Sequence, residues 1–84
     1  MPRFFFHLHD HSDVFLDEDG KECGQLSEAY ELALKSARGI VSADALDGSI
    51  DLTGRIEIVD EQGVVASTVF FRQAVKVRPT DNGS

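Results

Sequence analysis

The hydrophobic period of this 84-residue chain changes twice, from two to about 3.6 near Leu26 and back to two near Arg55, which leaves few architectures open. Before the first change, Arg3 to Asp10 is aromatic and β-prone with no breaker after Pro2, and predicts a strand. Asp10-His11-Ser12-Asp13 reads as a polar turn. Val14-Phe15-Leu16 follows as a second strand, closed by Asp17-Glu18-Asp19-Gly20, where Gly20 can supply a positive φ. The two strands form a hairpin whose register stays open: a two-residue loop pairs Leu8 with Phe15, a three-residue loop pairs it with Leu16.

Between the two changes the chain predicts a helix from Ser27 to Leu46, with Ser27 as N-cap and Glu28 and Glu31 in the first turn. Tyr30, Ala33, Leu34, Ala37 and Val41 fall on one stripe, with Ile40 and Ala45 at its margins. Gly39 is its weak point, and Asp47-Gly48 its stop signal. After it, Arg55 to Val59 alternates as a half-buried strand. Asp60-Glu61-Gln62-Gly63 reads as a turn with Gly63 left-handed, and Val64 to Arg72 supplies the fourth strand.

The order β-β-α-β-β with a right-handed crossover puts the first strand between the second and third, giving the spatial order 2-1-3-4 with every neighbour antiparallel. The expected fold is therefore α+β: a four-stranded antiparallel sheet with one helix on one face. Residues 1–77 form a single domain in this reading, and 78–84 have the composition of a flexible tail. A domain this short buries only about 60–65% of its unfolded surface, so self-association would help it.

Fifteen acidic against eight basic residues give a net charge of −7, which disfavours general attraction to nucleic acid or anionic membrane. Cys23 is the only cysteine, so no intramolecular disulfide can form. With no membrane-length apolar run and no signal-peptide pattern, a cytoplasmic location is expected.

Pro2-Arg3-Phe4-Phe5-Phe6-His7, the acidic turn Asp17 to Gly20, Ala33-Leu34-Lys35-Ser36-Ala37-Arg38 in the helix, Val59-Asp60-Glu61-Gln62-Gly63 and Phe70-Phe71-Arg72-Gln73-Ala74-Val75 occur here in a specific order and spacing. Over residues 2–75 the chain resembles a family of short bacterial proteins, frequent in alphaproteobacteria, that open M-P-R-Y/F-F-F-H and are known as a domain of unknown function. The resemblance implies a small intracellular α+β domain and brings no activity, cofactor or catalytic residue. His9-Asp10-His11-Ser12 departs from the family's usual Asp-Gly turn, so any role of His9 or His11 would belong to this protein alone.

The sheet face away from the helix is where function is expected. With Asp60 opposite Val64, regular pairing sets Val59 against Val65, Glu57 against Ser67 and Arg55 against Val69, with Phe71 continuing the row. Phe5, His7 and His9 join them from the first strand. Phe5, His7, Val65, Val69 and Phe71 are then the expected interface of a homodimer, with room for a further protein partner. The primary reading is a non-enzymatic protein-interaction module that needs no cofactor. One alternative is a single-stranded nucleic-acid-binding or antitoxin-like module using Arg3, Phe5, Arg55, Phe71 and Arg72. Another is a metal protein using His7, His9 and His11, although strand spacing of ~7 Å is long for ligands sharing one ion. Cys23, Ser27 and Ser67 have no partners in sequence that would make a nucleophile of them.

Overall fold

The computed structural model describes residues 2–10 and 13–75. They form β1 (Arg3–His9), β2 (Val14–Phe15), β3 (Lys21–Glu22), α1 (Leu26–Leu46), β4 (Arg55–Val59), β5 (Val65–Phe70) and the single turn α2 (Phe71–Ala74). The sheet order is β2-β1-β4-β5, antiparallel throughout, as the sequence implies. The added element is β3, which pairs Lys21 with Phe4 and Glu22 with Arg3 along the same outer edge of β1 that β2 occupies. The expected tail, 78–84, lies outside the described residues.

The first hairpin adopts the tighter of its two registers. Leu8 faces Phe15, His9 faces Val14, and Asp10 N–H donates to Asp13 O at 3.0 Å. Between the two paired segments, β1 advances four residues (Leu8 to Phe4) while the outer chain advances six (Phe15 to Lys21). The two extra residues are accommodated where the acidic turn bows out.

Helix α1 begins one residue before the expected start. Gln25, in extended conformation, precedes the first turn with no side-chain capping bond, and Ser27 lies inside the helix rather than capping it. Ala29, Ala33, Ala37 and Val41 are buried at intervals of four, and Tyr30, Leu32, Leu34 and Ile40 pack partly against the same core. Small side chains along that line bring the helix backbone close to the sheet, whereas Ala45 stays exposed. The helix runs uninterrupted through Gly39 and ends as expected: Asp47 N–H donates to Ala43 O, and Gly48, at φ +89°, donates to Ala45 O.

The second hairpin departs from regular pairing at one point. Its turn forms as expected, with Gly63 at φ +82° donating to Asp60 O and Asp60 N–H donating to Val64 O. Val59 still faces Val65, but one step on Ile58 faces Ser67, so Ala66 is an extra residue in β5. A bulge reverses the phase of side-chain alternation for the rest of the strand. Glu57 therefore faces Thr68, Ile56 faces Val69 and Arg55 faces Phe70, each one residue later than regular pairing requires.

Two of the expected interface residues change sides as a result. Val69 is fully buried beneath α1, and Phe71, beyond the strand in α2, is 2% exposed. They join Phe4, Ile56, Ile58, Cys23 and Ala74 in the core. Phe71 N–H donates to Gly54 O at 2.9 Å, and its ring closes so tightly on Gly54 that a Cβ there would lie 2.7 Å from it. Arg38 Nε donates to Ala74 O at 2.7 Å, tying α1 to α2. Among the described residues no helix is long and apolar enough to cross a membrane.

Candidate functional site

Because α1 and α2 contribute to the core on one side of the sheet, the opposite face presents three cross-strand rows. Reading from β1 through β4 to β5, they are His9-Arg55-Phe70, His7-Glu57-Thr68 and Phe5-Val59-Val65. Val14 extends the first row at the β2 edge, opposite His9. The face is thus polar in the middle and apolar toward its margins, with Thr68 and Phe70 standing where regular pairing would have set Ser67 and Val69.

Glu57 is the hub of the polar part. Its Oε1 lies 2.9 Å from Nε2 of His9 and its Oε2 3.5 Å from Nε of Arg55, with about a quarter of its side chain exposed. His9 Nε2 is shielded from solvent, and its close approach to Glu57 lacks hydrogen-bond alignment. At the β5 margin the Arg72 guanidinium sits 5.2 Å from the centre of the Phe70 ring, a cation–π contact worth about 0.5–1 kcal/mol at an exposed site.

A second polar construction holds the acidic turn on β1. The Asp17 carboxylate accepts backbone N–H bonds from Phe6 at 3.1 Å, Asp19 at 3.2 Å and Gly20 at 3.1 Å. Asp17 N–H donates to Nδ1 of His7 at 3.0 Å. Partial burial opposes the charged carboxylate, but the donors of Gly20, Phe6 and Asp19, together with nearby His7, outweigh it, and Asp17 titrates below its ordinary value. Gly20 has φ +70°, and a Cβ there would lie 2.8 Å from the Phe5 ring, so the expected positive φ is joined by a close approach. The turn is therefore a fitted part of the sheet edge rather than a merely solvated connection.

Of the five expected interface residues, Phe5, His7 and Val65 lie on the uncovered face, while Val69 and Phe71 are in the core. The expected nucleic-acid platform is broken up in the same way. Phe71 is internal, Arg3 Nη1 donates to Asp19 O at 2.9 Å, and Arg55 is turned to Glu57; only Arg72 meets an aromatic ring, that of Phe70. Of the three histidines, His7 commits Nδ1 to Asp17, His9 abuts Glu57, and His11 lies outside the described residues. Among the described residues no group of three or more His, Cys, Asp or Glu side chains is arranged to hold a metal ion. Cys23 is buried.

The residues that sequence reasoning missed are Asp17, Thr68 and Phe70. Asp17-Glu18-Asp19-Gly20 carried a usable signal, since an Asp that bonds the backbone two residues on is a recurrent turn device. Nothing comparable marks Thr68 or Phe70, because Val64 to Phe71 is evenly β-prone and contains no glycine to betray a bulge.

Fold and face together define a small α+β domain with one long helix against an antiparallel sheet whose other face is uncovered. The chain belongs to a family described as a domain of unknown function, DUF6894, whose model matches residues 3–72. No curated protein and no solved structure shows significant similarity to it.

Proposed function

We propose that this domain works by protein contact rather than catalysis, and that it associates with a second copy of itself through its sheet. The reading rests on the large apolar side chains left exposed along both margins of the sheet. Val14 is 56% exposed, Phe15 53% and Leu16 66% at the β2 margin; Val64 is 58% and Val65 48% exposed at the β5 margin. Single exposed apolar residues are ordinary, but consecutive ones on sheet edges are what native monomers avoid. The polar groups in the middle of the face are largely occupied with one another, which suits a structural role between the two margins.

Sedimentation at ~100 µM tests the reading, because an association of micromolar strength is well populated there. The expected result is a dimer of the 9.2 kDa chain that dissociates on dilution and is weakened at least tenfold by Val65→Asp or Phe15→Asp. A chain that stays monomeric at that concentration overturns it.

A further inference from the structure

The acidic turn is tied to β1 by two kinds of bond that respond differently to protons. One kind goes to the Asp17 carboxylate, which accepts from Phe6, Asp19 and Gly20. Because that carboxyl titrates below its ordinary value, it is still charged at pH ~5. The other is the Asp17 N–H, which donates to Nδ1 of His7 at 3.0 Å. An imidazole nitrogen accepts a hydrogen bond only while it carries no proton, and histidine ordinarily changes charge between about pH 5 and 8.

The groups facing the His7 ring decide how an added proton is received. The turn supplies the Asp17 carboxylate, and β4 supplies Glu57, directly opposite His7 in the ladder. Thr68, next in the row on β5, carries no charge. Glu57 is already approached by Nε2 of His9 at 2.9 Å and Nε of Arg55 at 3.5 Å, and Arg3, on the same face of β1, donates to Asp19 O at 2.9 Å. Two carboxylates therefore favour a cationic ring. The neutral ring already holds a proton on Nε2, so the second one arrives on Nδ1, where it confronts the Asp17 N–H, donor against donor.

We propose that His7 is a pH-operated latch: neutral, it holds the peptide between Leu16 and Asp17 against β1; protonated, it lets that peptide go while the Asp17 carboxylate keeps its hold on Phe6. The ring changes from acceptor of a backbone donor to a cation beside two carboxylates. The loosening is confined to the start of the turn. Phe15, 53% exposed, and Leu16, 66% exposed, stand immediately before it, and β2 is only two residues long, so this edge has few other contacts to keep it in place. The latch lies within one chain and does not depend on self-association.

Amide hydrogen exchange followed by nuclear magnetic resonance from pH ~7.5 to ~5 tests the latch, with each rate divided by that of an unstructured chain at the same pH. The Asp17 amide should lose about threefold or more of its protection, in step with titration of the His7 ring, while the amides of Phe6 and Gly20, held by the carboxylate, keep theirs. His7→Gln offers an oxygen that accepts the same N–H and does not titrate, so it should make Asp17 protection independent of pH. His9→Gln should leave the response in place, because His9 faces Glu57 rather than the turn. Asp17 protection that does not change as His7 titrates overturns the latch, and so does a His7 ring that stays neutral down to pH ~5. Equal losses at Phe6 and Gly20, or a response that follows His9, overturn it as well. If His7→Gln fails to fold, the ring signals of His7 and His9, read separately in the parent chain, decide alone: loss of Asp17 protection in step with His7 supports the latch, and any other course overturns it.

Discussion

The Asp17 carboxylate stands where the outer edge of β1 lacks a strand partner: its Oδ2 accepts the Phe6 N–H at 3.1 Å, in the gap between the segments that pair with β2 and β3. One side chain thus does for Phe6 what a neighbouring backbone carbonyl does elsewhere in the sheet. Through its other oxygen it also shapes the turn that crosses the gap.

This relationship makes stability depend on acid in a defined direction. Asp17 titrates below its ordinary value of 3.8 in the folded chain. Its contribution is therefore fully present above the unfolded value and is lost as pH falls through the lower folded value. Asp17→Asn should cost about 1 kcal/mol at pH 7, a modest figure because the side chain is partly exposed. Urea denaturation of parent and variant at a series of falling pH values checks this; a gap that stays unchanged to the acid end of the series contradicts the assignment.

The same turn assigns the tautomer of His7. Because Nδ1 accepts from Asp17 N–H, the neutral ring carries its proton on Nε2. Nitrogen-15 spectra of the imidazole should show Nδ1 unprotonated in the neutral form, and the opposite tautomer would mean that Asp17 N–H is bonded elsewhere.

Two glycines should respond to alanine with opposite signs. At Gly54 a Cβ would lie 2.7 Å from the Phe71 ring and 3.2 Å from His9 O, so Gly54→Ala should destabilise by about 1–3 kcal/mol. Gly39 is a helix-interior residue with nothing within 4 Å of its absent Cβ, and Gly39→Ala should stabilise by about 0.5–1 kcal/mol. Thermal melts of the two variants at one protein concentration provide the check.

Phe71 distinguishes a core residue from an interface residue. Phe71→Ala should cost about 3–5 kcal/mol, a large part of the stability of a small domain, at any protein concentration. A loss that appears only where the chain is dimeric would restore Phe71 to an interface. Denaturant titrations at two concentrations a hundredfold apart separate these outcomes.

Local pattern alone carried the strand at Arg3–His9, the helix, the strand at Arg55–Val59 and the Gly63 turn, because each has a hydrophobic period or a backbone requirement contained within a few residues. The strand order followed from chain order and crossover handedness. Of the candidate face, Phe5, His7 and Val65 were legible, since they lie on β1 or before the bulge. Val69 and Phe71 were misplaced because the pattern Val-Val-Ala-Ser-Thr-Val-Phe-Phe fits either phase of alternation.

What the sequence by itself determined is the set of elements and their neighbours, which depend on periodicity, turn chemistry and the topology of short connections. What only the tertiary structure decided is which face each residue of β5 serves and how β1 is completed at its outer edge. One extra residue, Ala66, exchanges Val69 and Phe70 between core and surface, and no local preference records it. The choice is made by contacts distant in sequence: Phe71 closing on Gly54, Val69 packing beneath α1, and Asp17 reaching Phe6 across eleven residues.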